Sequence, residues 1–506
     1  MKRFLSLVLS LALILGLCSF AHADDLPTIT IMFHGSNVTD DSAVLEKVNE
    51  YIADKVGAKL EVIWGTWGDF DEKATNTLAT GDSDVDMLFT CSWSADEFNT
   101  YAKNGFFEPL DEYFEKDPEF GNALKAALPE ALMQAATVEG PEGEKHIYAI
   151  NGFKDTATQN TWDINVTLLK ELGYTVEDVQ KLGFFGWGEI FAKAKEVKGD
   201  SFYPFLVEPA VAERMVTNTI IVTGDSGSVN LLSYYMDPTD VSKADAKYGN
   251  VLLNKFATDE YAAFTKQMRE YYQAGYINPA LAVAETSNDT RTNAQKEAAY
   301  LIGTQSYAYG YEYSAEVIAR GVEVQFLPCT EPYVDTTVSQ GAMVAINSAS
   351  QHPEESFRFL ALLNSDPYLM TLMNYGVEGV HYTLDDEGLV VFTDERANYT
   401  PWTNGMGNVT LLPDTQAEGK GFRESFKEFY ASGKAVPVLG FIFNNEPVAN
   451  EMAALANVAA QYALALDCGA VDPETELPAF LEALNGAGMD AYLTEANAQL
   501  SAFLGK

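Results

Sequence analysis

Three short apolar runs, each followed by a segment of helical periodicity, constrain this chain more than any other feature. They are "TITIMFHG" from Thr28, "KLEVIWG" from Lys59 and "VDMLFTC" from Val85. Between them, "SAVLEKVNEYIADKVG" repeats its apolar residues every three or four positions and stops at Gly57, and "DEKATNTLATG" stops at Gly81. Strands alternating with helices predict a mostly parallel sheet with helices on both faces. In such sheets ligands gather beyond the carboxyl ends of the strands. Those ends carry His34-Gly35-Ser36-Asn37, Trp64 to Trp67, and Ser92-Trp93.

Two tryptophans, Trp64 and Trp67, thus stand among glycines on a turn at a strand end. A tryptophan ordinarily fills core, and Trp187, at a helix start, is read that way. At strand ends the alternative is a flat face waiting for a flat ligand. Aromatic faces suit the C–H faces of sugar rings, while neighbouring polar side chains bond the hydroxyls. The remaining tryptophans are Trp93, Trp162 and Trp402, and Tyr307, Tyr309, Tyr311 and Tyr313 alternate at period two, so an extended segment would carry all four on one face. Trp64→Ala or Trp93→Ala is accordingly expected to cost binding and leave the fold intact.

Charge narrows the ligand class. The chain holds 73 acidic and 32 basic residues, a net charge of −41, which repels nucleic-acid phosphates. It also disfavours an anionic ligand unless a local basic pocket overrides it. Lys2, Arg3, the apolar run Phe4 to Leu17 and "AHA" at 21–23 form a secretory leader expected to be cut after Ala23. Cys18 offers lipid anchoring as the alternative, although Leu17 is larger than a lipobox position wants. The other cysteines, Cys91, Cys329 and Cys468, are far apart with no C-x-x-C, which disfavours zinc; whether Cys91 pairs with Cys329 stays open. "TGDSGS" at 223–228 resembles a serine-protease loop, but Ser228 replaces its second glycine and no suitable histidine context exists. "DSDVD" at 82–86 starts like a calcium loop, yet Met87 stands where glycine is required and Trp93 where glutamate is. No Walker A or G-x-G-x-x-G occurs. No cofactor, metal or catalytic residue is therefore assigned. With 73 acids, a glycosidase built on two facing carboxylates remains the enzyme alternative.

After Ile147 the character changes. Residues 186–298 read as largely helical, "AYLIGTQSYAYGY", "VEVQFLPCTEPY" and "GAMVAINSAS" as strands, and "HPEESFRFLALLNSDPYLMTLMNYG" as a helix pair broken at Asp366-Pro367. The C-terminal part, from Asn450 to Ala470 and from Leu477 on, reads as helical. The absence of a linker suggests a chain that crosses between lobes several times.

"LLNSDPYLMTLMNYGVEGVHYT" (Leu362 to Thr383), with its Y-G-x-E-G-x-H-Y core, resembles a signature of ABC-transporter extracellular solute-binding proteins of the maltose-binding type. "GFIFNNEPVANEMAALANV" from Gly440 and "GAVDPETELPAFLEALNGAGMDAYLTEANAQLSAF" from Gly469 resemble the DUF3502-type tail of a lipoprotein-like subfamily. The resemblance implies an α/β fold of two lobes, of the type II periplasmic-binding-protein kind, joined by crossing segments and carrying a helical C-terminal extension. It implies a cleft that closes on a sugar or oligosaccharide, delivery to a membrane permease, no catalysis, a monomer, and a periplasmic or cell-surface location. A binding protein for peptides or another polar solute is a third possibility. The expected division is residues 24–146 plus about 305–362 for lobe 1, and about 147–304 plus 363–506 for lobe 2. The resemblance adds Tyr375 and Glu378 near the cleft. The full set of expected ligand contacts is Ser36, Trp64, Trp67, Ser92, Trp93, Trp162, Tyr307, Tyr309, Tyr375, Glu378 and Trp402.

Overall fold

A computed structural model describes residues 26–34, 37–93, 98–154, 157–225, 230–307 and 309–505. Ser36, Ser228 and the leader with Cys18 and Ala23 lie outside the described residues.

The N-terminal alternation forms as the periodicity predicts. Thr28–Phe33 pairs in parallel with Lys59–Trp64 on one side and Met87–Thr90 on the other. The helix Ser42–Val56 buries Val44, Val48, Ile52 and Val56, its four-residue stripe, and ends at Gly57 in the left-handed conformation. The sheet is completed from far along the chain. Met343–Ile346 runs antiparallel beside Met87–Thr90, and Ala149–Asn151 lies outside it. This gives the strand order 59–64, 28–33, 87–90, 343–346, 149–151. The "DSDVD" turn has a structural use. Asp86 is buried, accepts from the Thr30 N–H at 2.8 Å and from Ser350 Oγ at 2.5 Å, and so ties the turn to the strand 28–33 and to the segment that follows the strand 343–346.

Lobe 2 is built on Gln159–Asn165, which pairs antiparallel with Ile302–Tyr307 and with Val324–Pro328. Phe205–Leu206 closes the far edge. The segment expected to be mostly helical also contains a second sheet, of Thr219–Ile220, Leu232–Asp237, Asp240–Ala244 and Leu253–Asn254. Its centre is a hairpin turning at Pro238-Thr239, where Asp237 Oδ1 accepts from the Thr239 backbone and hydroxyl. The helical expectation for this segment passed over the Asp-Pro-Thr turn residues.

The lobe boundaries differ from those expected. The strands 302–307 and 324–328 belong to lobe 2, because both pair with 159–165. The helices Pro367–Tyr375 and Phe422–Ala431, expected in lobe 2, belong to lobe 1 together with Pro353–Ser365, and Phe357, Leu369, Met373, Phe426 and Tyr430 share a core with Ile31, Val48 and Val344. The helix break at Asp366-Pro367 is as read, with Asp366 Oδ1 accepting from the Leu369 N–H. Core membership changes lobe between Ala157 and Trp162, between Tyr333 and Val334, and between Tyr430 and Val436. These three crossings run together. Tyr333–Val334 pairs in parallel with Lys434–Ala435, and Thr158 bridges Tyr333. A narrow ribbon of this kind is where two rigid bodies can bend against each other.

The C-terminal helices Ala449–Asp467, Pro473–Gly486 and Met489–Phe503 pack onto lobe 2, with Leu455, Phe480, Tyr492 and Leu500 in its core. A buried polar group pins them. Tyr261 Oη donates to Asp467 Oδ1 at 2.6 Å, while Lys255 Nζ lies 3.4 Å from Glu213 Oε2, all four side chains being buried. Burial pushes the Asp467 carboxyl up from 3.8 to about 6, against the pull of Lys255 and the Tyr261 hydrogen bond. The folded carboxyl therefore keeps its proton after the unfolded one has lost it. Stability is expected to fall as pH rises from about 4 to about 6, by about 2–3 kcal/mol, and to level off above. Asp467→Asn, which keeps the acceptor and removes the charge, is expected to abolish that slope in urea unfolding followed from pH 4 to 8.

Candidate functional site

The carboxyl ends of the three parallel strands carry an aromatic cluster. His34 follows the first strand and is 3 % exposed. Trp67, from the turn after the second, lies edge-on to it at 4.5 Å, and Phe70, opening the next helix, also lies at 4.5 Å. Trp93 follows the third strand at 6.1 Å, and Trp402 arrives from a distant loop at 6.2 Å. The three tryptophans contact one another, at 5.0 Å for Trp67–Trp402 and 6.2 Å for Trp67–Trp93 and Trp93–Trp402. Phe89 closes the base of the cluster against His34, Trp93 and Trp402. Burial lowers the His34 pKa below its ordinary 6.5, opposed by Asp71, whose Oδ1 lies 3.6 Å from Nε2. The ring beneath the tryptophans is thus uncharged at neutral pH. Trp67 is 58 % exposed and Trp93 45 %. Large aromatics left this open, on a rigid aromatic base, mark a contact surface rather than a core.

Trp402 also borders a cavity of about 710 Å³, within the range of small-molecule sites, roughly 300–1,000 Å³. One wall belongs to lobe 1 and includes Tyr375, Arg396, Asn404 and Arg423; the other is the segment Tyr309 to Ile318, which leaves the lobe 2 strand 302–307. Tyr309 reaches across to Phe422 at 5.4 Å and Phe429 at 5.2 Å. That approach needs Gly310, which has φ +88°; a Cβ there would sit 2.2 Å from the Phe422 ring. Arg423 Nη2 donates to Tyr375 Oη at 2.9 Å and to Glu418 Oε1 at 2.8 Å. Burial pushes the Tyr375 hydroxyl up to about 12, against the pull of Arg423, so it stays protonated.

Of the expected contacts, the structure brings Trp67, Trp93 and Trp402 together, and Tyr309 and Tyr375 line the adjoining cavity. The others have different surroundings. Trp64 is partly buried, stacks on Phe33 at 5.8 Å, meets Tyr399 at 6.0 Å and donates Nε1 to Asp41 at 2.8 Å, which is packing. Ser92 donates to the Thr337 carbonyl at 3.1 Å and so holds a crossing segment. Trp162 is inside the lobe 2 core, 4.7 Å from Trp187, which is itself buried as read. Glu378 is exposed on a loop and does not line the cavity. The tyrosines share no extended face, because the strand ends at Tyr307 and Tyr311–Tyr313 is a 3₁₀ turn. Tyr307 is buried and donates to Glu312, whereas Tyr309, Tyr311 and Tyr313 line the cavity. Lys154, Arg396, Asn404 and Arg423 were not singled out from sequence; nothing in their local pattern distinguishes them.

Cys91 lies in the lobe 1 core and Cys329 against that of lobe 2, where it is a free thiol. Among the described residues no helix is long and apolar enough to cross a membrane.

Comparison with known proteins agrees with this architecture. Residues 437–505 match a family described as "Domain of unknown function (DUF3502)". A "carbohydrate ABC transporter substrate-binding protein" of Streptococcus pneumoniae serotype 4 is 26% identical over 491 residues, 96% of this chain and 92% of that protein. Among solved structures, the N-glycan transport solute binding protein (NgtS) of S. pneumoniae superposes with a TM-score of 0.78 at 24% identity, covering 95% of this chain and 99% of that one. Its complex with Man5GlcNAc gives 0.68 at 25% identity, covering 94% and 98%. The fold is therefore the two-lobed α/β fold of extracellular solute-binding proteins, and over nearly its whole length the chain is similar to a carbohydrate ABC transporter substrate-binding protein.

Proposed function

We propose that this protein is the extracytoplasmic substrate-binding component of an ABC importer, which takes an oligosaccharide into the cleft between its lobes and hands it to a membrane permease. The observation that carries this reading is the open Trp67–Trp93–Trp402 surface at the strand ends, continuous through Trp402 with a cavity walled by both lobes. The aromatic faces supply stacking, and Tyr309, Tyr375 and Asn404 supply hydroxyl and amide partners. The similarity to a carbohydrate ABC transporter substrate-binding protein and to NgtS supports the same reading. So does the crossing of three chain segments, about which the lobes would close on ligand. The protein acts without catalysis, as an exported monomer whose leader is cut after Ala23; anchoring through Cys18 is the alternative.

Calorimetric titration of residues 24–506 with a panel of neutral and acidic oligosaccharides tests this. The expected result is one-to-one binding of at least one glycan at about −8 kcal/mol or tighter, with the sugar recovered intact. Recovery of cleaved sugar would show a glycosidase, and silence across the panel would remove the carbohydrate assignment.

A further inference from the structure

The cavity inverts the charge of the molecule around it. The chain as a whole carries 73 acidic against 32 basic residues. Among the described residues, the cavity lining contains three basic side chains, Lys154, Arg396 and Arg423, and one acidic one, Glu418. Glu418 is already engaged by Arg423 at 2.8 Å. Arg396 brings a positive charge to the cleft wall of a strongly negative protein.

Arg396 is the informative residue. Its Nη1 donates to the Tyr399 carbonyl, and its guanidinium lies over the rings of Phe392 at 5.0 Å and Tyr399 at 5.8 Å. Among the described residues no carboxylate stands within ion-pair distance of it, although acids outnumber bases more than twofold along the chain. Burial, with only the tyrosines Tyr399 and Tyr375 opposing it, pushes the guanidinium below its ordinary value. Taking a guanidinium out of water without a countercharge costs stability, and replacing it by an apolar or amide side chain would lower that cost. The site bears the cost at the wall of its ligand cavity. A planar, two-pronged donor matches a carboxylate in geometry as well as charge. A neutral sugar needs hydrogen-bond donors there but no uncompensated cation.

Given the proposed role as an oligosaccharide receptor, on which this inference rests, we infer that the ligand is an acidic oligosaccharide, whose carboxylate is received in the inter-lobe cavity by Arg396 with Lys154 nearby, while its sugar faces lie on Trp402, Trp93 and Trp67. The general negative field of the protein works against such a ligand at long range. Local, partly buried charges are screened far less than surface ones, so the short-range attraction prevails once the ligand is in the cleft.

The test uses matched pairs that differ only in the acid: tetragalacturonate against its methyl ester, and sialyllactose against its sialic acid methyl ester. Titrations of the full mature chain are expected to show at least one acid bound about tenfold or more tightly than its ester, the range of charge-assisted hydrogen bonds. Arg396→Gln is expected to remove that preference and Arg396→Lys to retain part of it. Thermal unfolding of each variant checks that the fold persists. Should Arg396→Gln fail to fold, Lys154→Gln reads the same preference and is expected to reduce it. Esters bound as tightly as acids, or a preference untouched in both Arg396→Gln and Lys154→Gln, would overturn the acidic ligand and leave the oligosaccharide receptor standing. No binding by either member of any pair, nor by the wider neutral panel, would overturn both.

Discussion

Trp67→Ala and Trp93→Ala are each expected to weaken oligosaccharide binding by about 2 kcal/mol or more, roughly thirtyfold in Kd, the scale of an aromatic hot spot. Unfolding midpoints should hardly move, because the two side chains are 58 % and 45 % exposed and fill no core. Trp64→Ala is the internal control. It removes a ring stacked on Phe33 and a hydrogen bond to Asp41, so its expected cost is about 2–3 kcal/mol of stability with little change in affinity measured below the transition. Calorimetric titration and thermal unfolding on the three variants separate these outcomes. If Trp67→Ala and Trp93→Ala bind like the parent protein, the open aromatic surface is not the ligand platform. The contrast arises from one turn: Trp64, Gly65, Thr66 and Trp67 are consecutive, yet the first ring points into lobe 1 and the last stays open.

Arg320→Leu is expected to lower stability by about 3–5 kcal/mol, because it leaves a buried carboxylate without its partner. Arg320 Nη1 donates to Asp163 Oδ2 at 2.7 Å and to Tyr300 Oη at 2.6 Å, and Tyr300 Oη donates to Asp163 Oδ1 at 2.9 Å. The two charged side chains are 0 % and 1 % exposed. Burial, partly offset by Arg320, already raises the Asp163 pKa, and without the guanidinium the carboxyl would be driven further towards its neutral form. The double variant Asp163→Leu/Arg320→Leu should recover much of the loss, since an apolar pair in place of a buried ion pair is often near neutral. Arg320 caps the helix Ala315–Ala319 behind the tyrosine wall of the cavity, so ligand affinity should fall with stability in the single variant. Lys170→Ala, which breaks the exposed pair with Glu323, is expected to leave the denaturation midpoint unchanged. A denaturation midpoint for Arg320→Leu equal to that of the parent would show the triad to be energetically idle.

Much of lobe 1 was legible because its information is local. Apolar period, glycine stops and the Asp366-Pro367 break each act within a few residues, and each produced the expected element. The strand-end rule then placed Trp67 and Trp93 at the carboxyl edge of the sheet, since in a parallel sheet a residue after a strand can only emerge at that edge. The same rule did not separate Trp64 from Trp67, for which the deciding contacts are Phe33, Asp41 and Tyr399. The hairpin at Asp237-Pro238 was legible from its turn residues; the helical reading of residues 186–298 gave them too little weight.

The amino-acid sequence by itself determined the α/β class of the fold and the presence of aromatic residues at the strand ends, because hydrophobic period and turn chemistry are properties of neighbours along the chain; the likeness of the tail to DUF3502 proteins rests instead on its motifs. Tertiary structure alone decided which sheet each later strand joins. Strand 343–346 enters lobe 1 and strands 302–307 and 324–328 enter lobe 2, through pairings over long sequence separations. It alone brought Trp402 onto His34 and Arg396 to the cavity wall. Those meetings are set by how two closed cores leave a gap between them, and a gap has no signature in any stretch of residues that borders it.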